Sequence, residues 1–519
     1  MYRTVQKPSA MTKKYIEKIL TARVYDVAIE SPLEIAKSLS KRLNNRILMK
    51  REDLQPVFSF KLRGAYNKID QLLRQGELEG VIAASAGNHA QGLALAAQQR
   101  GVKATIVMPK TTPTIKVNAV KAYGAKAVLV GDAYDDAYDY AIKEAQKKNL
   151  VFVHPYDDPD VIAGQGTVAM EILRQYPDQI DVIFIPVGGG GLAAGMSVFL
   201  KYLRPEIKIV AVEADESACL AAAMEKNRRV ILPQVGIFAD GVAVKQIGKE
   251  TFRLLKETVD EVITVNTDEM CAAIKDIFDD TRSIMEPAGA LAIAGLKKYV
   301  EKTAAENQTL VAVNSGANMN FDRLRHVAER SELGENREAL LAVTIPEEPG
   351  SFHKFCKSLG KRGITEFNYR YSSDTLAQVY AGIQLSEGQH EKDTVIGILK
   401  DKGYPVTDLS DNEVAKLHIR YMVGGRAEGI ENETVFRFQF PERPGALLQF
   451  LTNIGKRWNI SMFHYRNHGA GYGRVLVGMQ VPADEYPLLT EYLQKTGYPY
   501  WDETDNPAYA LFLSSQKSA

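Results

Sequence analysis

Val182-Ile183-Phe184-Ile185-Pro186-Val187-Gly188-Gly189-Gly190-Gly191-Leu192 is an apolar run of strand length that ends in four glycines and leads into a helical pattern. An unbroken apolar strand is buried on both faces, which is the condition of a parallel sheet covered by helices. Four consecutive glycines carry an entropic cost that a plain turn seldom needs, and they supply bare N–H groups able to wrap a phosphate. Two phosphates suit the loop. One is that of a small cofactor. The other belongs to a dinucleotide, because Gly189-x-Gly191-x-x-Ala194 also fits a loose dinucleotide fingerprint, with Glu213 at the end of the next strand as a ribose contact.

Working outward, the same alternation repeats. Strand-like runs at Val81–Ala84, Ala104–Met108, Ala127–Val130 and Val151–Val153 are separated by helical patterns at Ala90–Arg100, Thr114–Tyr123 and Ala133–Lys148. After Ala163 strands recur at Val182–Val187, Ile207–Val212 and Leu310–Asn314. Parallel α/β architecture follows. Upstream, a helix is expected from Thr12 to Ala22, Ser31-Pro32-Leu33 reads as the capped start of a second helix reaching about Leu43, and Arg46–Lys50 reads as a strand.

Ligands of open parallel sheets sit at the carboxyl ends of strands. Ser85-Ala86-Gly87-Asn88-His89 is a polar turn at one such end, opening an alanine-rich helix whose N-terminal N–H groups suit a carboxylate or phosphate. Asn314-Ser315-Gly316-Ala317-Asn318 stands at another; its hydroxyl can hydrogen-bond a ring nitrogen without carrying charge, and a plain turn explains it as well. Glu286, before Pro287-Ala288-Gly289-Ala290, either reaches a substrate or complements a helix dipole. Ser59-Phe60-Lys61-Leu62-Arg63-Gly64-Ala65 places one lysine at a loop-to-helix entry beside Phe58 and Phe60. Apolar neighbours and the helix dipole both favour the neutral amine, which can attack a carbonyl. Pyridoxal phosphate needs an amine, a phosphate cradle and a ring-nitrogen partner, and its substrate needs a carboxylate anchor. Lys61, Gly188–Gly191, Ser315 and the Ser85–His89 turn supply one candidate each, whereas a nicotinamide enzyme leaves Lys61 and that turn without a shared task.

These four motifs, in this order and spacing, resemble the serine/threonine dehydratase family of pyridoxal-phosphate enzymes over about residues 1–325. The resemblance implies a fold type II catalytic region, similar to the tryptophan synthase β chain. Its small subdomain spans about 55–160, and its large subdomain comprises 1–54 and 161–325. It further implies that Lys61 carries the cofactor covalently, Asn88 contacts its ring oxygen, and Gly188, Gly189, Gly190, Gly191 and Leu192 hold its phosphate. Ser315 faces the ring nitrogen, and Ser85, Ala86, Gly87, Asn88 and His89 grip the substrate carboxylate. A serine dehydratase or racemase of the same fold shares these motifs.

The C-terminal third carries a repeat. Pro346-Glu347-Glu348-Pro349-Gly350 recurs as Pro441-Glu442-Arg443-Pro444-Gly445, Gly360-Lys361-Arg362 as Gly455-Lys456-Arg457, and Ile364–Arg370 as Ile460–Arg466, offset by 95 and then 96 positions. Each copy reads as a small α+β unit of ferredoxin-like type whose turn suits an amino-acid carboxylate; pure assembly is the alternative. After a linker at 326–338, the copies at 339–411 and 434–505 resemble the paired ACT-like regulatory domains of the biosynthetic, threonine-deaminating members of the family. That resemblance implies L-threonine as substrate, inhibition by isoleucine, relief by valine, and a homotetramer. Tyr369 and Tyr465, at matching positions, are the effector-contact candidates.

Composition bounds the rest. At 519 residues the chain is long enough for about three domains. Lys plus Arg equals Asp plus Glu at 64 each, so no overall charge attracts nucleic acid or an anionic membrane. Cys219, Cys271 and Cys356 form no metal-ligand or disulfide spacing, and no metal is expected. Neither a signal peptide nor a membrane span is evident, and a cytoplasmic location is the expectation.

Overall fold

Val182–Pro186 lies inside a six-stranded sheet, between Thr309–Asn314 on one side and Lys208–Ala214 on the other, parallel to both. Its side chains explain why: Ile183 and Ile185 enter the core on one face, and Val182 and Phe184 the core on the other. The full order is Leu33–Ile35, Arg46–Arg51, Thr309–Asn314, Val182–Pro186, Lys208–Ala214, Glu261–Val265. The strand that follows Val182–Pro186 packs on one side and the last strand of the sheet on the other, so the strand order reverses there. A crevice opens at the carboxyl ends of such a pair. Gly188–Gly191 and Ser315 leave the sheet at that point.

A second, four-stranded parallel sheet runs Lys126–Leu129, Ala104–Met108, Val81–Ala84, Val151–Phe152. Its order also reverses, between Val81–Ala84 and Val151–Phe152, and the turn from Ser85 and the segment from His154 emerge there. The computed structural model describes residues 10–76, 78–236, 238–371, 375–417, 419–422, 427, 429–441, 446–454, 457–466, 472–495, 498–506, 509 and 513–514. The chain divides into two compact units, at residue 331.

In the first unit the helix Lys61–Gln75 is seated by close backbone contact. A Cβ on Gly64 would lie 2.7 Å from the Val161 carbonyl oxygen, and one on Gly92 would lie 2.9 Å from the Leu62 nitrogen. Only glycine permits the helices Asn88–Arg100 and Pro159–Gln175 to approach it this far. A buried ionic cluster fixes the same helix from below. The Arg63 guanidinium pairs with Glu52 at 2.7 Å and Glu171 at 2.6 Å, and the Lys50 ammonium pairs with Glu171 at 2.7 Å, all four side chains being fully buried. Two cations meet two anions, which is the arrangement that makes burial of charge tolerable.

The lead-in departs from expectation. Ser31 does not cap a helix. Its hydroxyl donates to Glu52 at 2.5 Å, and Leu33–Ile35 is a strand antiparallel to Arg46–Arg51, with Leu33 opposite Lys50. The only helix that follows there is Lys37–Arg42, and the first helix runs Ala10–Leu20. The Ser-Pro signal is local, and sheet pairing together with a buried partner for Ser31 outweighs it.

The second unit is built on one antiparallel sheet of eight strands, ordered Val406–Asp408, Glu338–Pro346, Leu376–Gln384, Ile364–Arg370, Asn459–Arg466, Tyr472–Gln480, Glu433–Pro441, Tyr500–Asp502. Each half is strand–helix–strand–strand–helix–strand, a ferredoxin-like module. The halves join through Ile364–Arg370 and Asn459–Arg466, where Asn368 stands opposite His464. Those two positions are 96 apart, the offset of the repeat, so the pseudo-twofold axis passes between them. Of the second copy's repeated turn, Glu442–Gly445 and Gly455–Lys456 lie outside the described residues.

Candidate active site

Between the two reversal points lies a cavity lined by Lys61, Asn88, Gly188–Gly191, Leu192, Glu286 and Ser315, with Phe60, Tyr156, Pro186, Gly241, Val242 and Ala288. Lys61 and Ser315 come from segments that hold each other directly: Phe60 N–H donates to the Ser315 carbonyl at 3.3 Å, and Ala317 N–H to the Phe58 carbonyl at 2.8 Å.

Lys61 begins its helix, and its Nζ lies 3.4 Å from the Pro155 carbonyl oxygen. Burial pushes its pKa down from 10.5 to about 8, with Glu286 pulling it partly back. The amine is therefore neutral in a useful fraction of molecules just above neutral pH. The Glu286 carboxyl, at the N-cap of the helix Pro287–Thr303, is itself pushed up to about 7, first by burial and then by Asp240, against a hydrogen bond from Asn88. Asn88 Nδ2 donates to Glu286 Oε1 at 2.6 Å.

The glycine loop is a cradle in the literal sense. A Cβ on Gly189 would fall 2.2 Å from the Tyr156 ring, and one on Gly188 would fall 2.9 Å from the Val242 Cα. Gly190 has φ +91°, open to glycine, and the helix Gly191–Leu203 starts directly after it, so its free N–H groups border the cavity. The Ser315 hydroxyl is buried and donates weakly to the Ala288 carbonyl at 3.3 Å. An amine of depressed pKa, an anion-binding glycine loop at a helix N-terminus and a neutral hydroxyl share one cavity. That donor set fits pyridoxal phosphate: Lys61 for the aldehyde, Gly188–Leu192 for the phosphate, Ser315 for the ring nitrogen.

Of the residues expected at the site, Ser85, Ala86, Gly87 and His89 do not line this cavity. The first three are half-buried in the turn before Asn88, where Gly87 N–H donates to Ser85 Oγ at 3.3 Å. His89 points away, its Nε2 3.0 Å from the Val153 carbonyl oxygen, and burial with the nearby Lys61 lowers its pKa to about 3, so the ring stays neutral. Glu213 is fully buried and accepts from the N–H groups of Leu220 and Ala221, both at 2.8 Å. It caps its own following helix, which removes the ribose contact of the dinucleotide alternative. Tyr156, Gly241 and Val242 escape the motif reading. Tyr156 follows the strand Val151–Phe152 closely, and inspection of every strand end would have found it.

In the second unit Tyr369 and Tyr465 are both buried in one core, on the two strands that join the modules. The Tyr369 hydroxyl donates to the Glu347 carboxylate in the repeated turn, and Asn459 Nδ2 donates to the other oxygen of that carboxylate at 2.9 Å. Glu347 thus ties the turn of the first module to a strand of the second.

Comparison with known proteins bears on the whole chain. The pyridoxal-phosphate dependent enzyme family matches residues 24–316, and the C-terminal regulatory domain of threonine dehydratase matches twice, at 329–419 and 424–513. The biosynthetic L-threonine dehydratase IlvA of Burkholderia multivorans is 56% identical over 96% of this chain and 99% of its own. The chain belongs to the threonine dehydratase family. It is accordingly a pyridoxal-phosphate-dependent enzyme, with a regulatory region that binds small-molecule effectors. The Escherichia coli IlvA protein is 53% identical over 96% of this chain and 97% of its own length. Among solved structures, the processed threonine deaminase isoform 2 of Solanum lycopersicum superimposes with a TM-score of 0.62 at 49% identity, over 63% of this chain and 90% of that one. No helix among the described residues of this dehydratase family member is long and apolar enough to cross a membrane.

Proposed function

We propose that the chain deaminates L-threonine to 2-oxobutanoate and ammonia as the first step of isoleucine biosynthesis, in the cytoplasm, as a homotetramer inhibited by isoleucine and relieved by valine. Residues 1–325 are its catalytic part, and 339–411 and 434–505 are its regulatory modules. The observation that carries this reading is the meeting of Lys61, Asn88, Gly188–Gly191 and Ser315 in one cavity, within a chain so similar to named threonine dehydratases.

When bound, pyridoxal phosphate supplies an aldehyde for amines and a ring that accepts the electron pair left at the substrate α-carbon. The protein does the rest. Lys61, with its pKa near 8, takes the α-proton as a neutral amine. N–H groups of Gly188–Leu192 hold the phosphate, and the Asn88 amide holds the ring oxygen. Ser315 would face the ring nitrogen as a neutral hydroxyl, which would not hold a proton there as a carboxylate does, and a neutral partner at that position favours loss of the β-hydroxyl over transamination. The N–H groups of the Ser85–His89 turn, which adjoins the cavity through Asn88, would take the substrate carboxylate at the cavity's edge. The α-proton and β-hydroxyl leave as water, hydrolysis takes one water back, and threonine becomes 2-oxobutanoate and ammonia. Free, buried cysteines suit a reducing compartment.

Tyr369 and Tyr465 are the proposed effector contacts. Isoleucine inhibits by binding the less active state more tightly, and linkage then requires threonine to weaken isoleucine binding. The test is oxo-acid release from L-threonine by the purified holoenzyme, with and without isoleucine. Release that isoleucine suppresses supports both halves. Release from serine alone, indifferent to isoleucine, assigns the chain to a serine-specific enzyme of the same fold.

A further inference from the structure

Asn318 closes the Ser315-Gly316-Ala317-Asn318 motif and has no task in the account above. Its Nδ2 donates twice, to the Val57 carbonyl at 2.8 Å and to Asn88 Oδ1 at 2.6 Å. Asn88 in turn donates from Nδ2 to Glu286 Oε1 at 2.6 Å. The two ends of an amide are nearly the same size, so their orientation is decided by hydrogen-bond partners and not by shape. A backbone carbonyl only accepts, which forces the nitrogen of Asn318 toward Val57. The second hydrogen of that nitrogen then claims the oxygen of Asn88, and the nitrogen of Asn88 is left facing Glu286 and the cavity. The far end of this relay agrees with that direction when Glu286 is ionised and only accepts, and leaves the direction to Asn318 when Glu286 is protonated and can also donate.

We propose that Asn318 is a positioning residue that determines which end of the Asn88 amide is presented to the ring oxygen of pyridoxal phosphate. The proposal rests on the reading of Asn88 as a cofactor contact. With the nitrogen presented, Asn88 donates to the ring oxygen; with the oxygen presented, two acceptors face each other. Asn318 acts through Asn88, and Asn88→Ala is the reference for its loss.

The test compares Asn318→Asp with Asn318→Ala in the holoenzyme, reading the absorption maximum of the bound cofactor, the pH midpoint of its titration and the concentration of pyridoxal phosphate that half-saturates the stripped protein. Aspartate keeps the shape of asparagine, yet its carboxylate cannot donate, so it draws the nitrogen of Asn88 toward itself and turns the oxygen to the cavity. Alanine merely leaves Asn88 unanchored. The expected order of perturbation is wild type, then Asn318→Ala, then Asn318→Asp, with cofactor affinity falling about tenfold in the last. In the Asn88→Ala background the effect of Asn318→Asp shrinks to less than twofold. A purely structural role gives the same order, since the aspartate carboxylate also faces the Val57 carbonyl, but it makes the substitutions at Asn318 and Asn88 additive; full additivity with Asn88→Ala, or an order in which alanine is the worse variant, overturns the proposal. Should aspartate prevent folding, Asn318→Ala in the Asn88→Ala background carries the same additivity test. If Asn88→Ala leaves the absorption of the bound cofactor unchanged, the assignment of Asn88 falls and the role of Asn318 with it; if Asn88→Ala shifts it and Asn318→Asp does not, only the role of Asn318 falls.

Discussion

Lys61→Met is expected to stabilise the cofactor-free protein at neutral pH, by an amount that disappears in alkali. Burial lowers the lysine pKa from 10.5 to about 8 in the folded state. The unfolded chain therefore holds the proton up to about 10.5 and the folded chain only to about 8. Between those values the unfolded state binds more protons, and stability contributed by this group rises with pH. The penalty of a charged amine in the cavity is thus fully present below pH 8 and gone by 10.5. At ~1.4 kcal/mol per pH unit, a fall from 10.5 to about 8 is worth about 3 kcal/mol. Urea unfolding of wild type and Lys61→Met, both stripped of cofactor, at pH 7, 8, 9 and 10 gives the difference directly. Methionine packing adds an offset, but one that does not vary with pH. The stability advantage of the variant should shrink by about 3 kcal/mol as pH rises from 7 toward 10.5. A difference flat across that range, or one that grows with pH, refutes the argument that Lys61 is desolvated, and with it the source of its neutral amine.

Lys61→Ala should abolish threonine turnover together with the absorbance of covalently held cofactor; an active variant would falsify the role of Lys61. Gly92→Ala places a methyl 2.9 Å from the Leu62 nitrogen and 3.0 Å from the Lys61 carbonyl carbon, so the helix start must retreat by about 0.5 Å. Turnover should fall roughly tenfold and stability by about 1–3 kcal/mol, measured by kcat and urea midpoint. Arg63→Met strands Glu52 and Glu171 with Lys50 alone, and urea unfolding should report a loss of about 3–5 kcal/mol. Tyr465→Ala should raise the isoleucine concentration for half-inhibition at least about fivefold; an unchanged response withdraws that contact.

Much of the architecture was legible because burial on both faces writes itself into the sequence: Val182–Pro186, Val81–Ala84 and the stretch 310–313 are apolar throughout, and polar residues resume beyond them. Motifs at strand ends were legible for the same reason, since the ends of adjacent strands converge wherever the order reverses. What failed was local in its evidence. Ser31-Pro32 carries a helix-start signature, yet the segment is decided by Lys50 and Glu52, about twenty positions away. Glu213 sits at the spacing of a ribose ligand, but nothing in the spacing shows that the backbone of Leu220 and Ala221 folds back onto its carboxylate. Tyr156 reaches the cavity from a loop, and Gly241 and Val242 from the short 3-10 turn Asp240–Val242, segments whose path depends on tertiary packing, and they carry no chemistry that a sequence pattern flags.

The pairing of Asn368 with His464 makes the regulatory sheet self-complementary along one line. Ile364–Arg370 presents to its neighbour an edge that its own counterpart, Ile460–Arg466, is built to receive. A chain ending after residue 411 would keep the first module and lose that neighbour, leaving Phe367 and Tyr369 beside an open strand edge. Two such chains can restore the sheet by pairing the same strand about Asn368, an isologous contact in which each copy offers one surface. Their assembly would depend on protein concentration, whereas in the intact chain the second module is always within reach at the effective concentration set by the connecting segment. Duplication has in this way converted an equilibrium between molecules into a property of one.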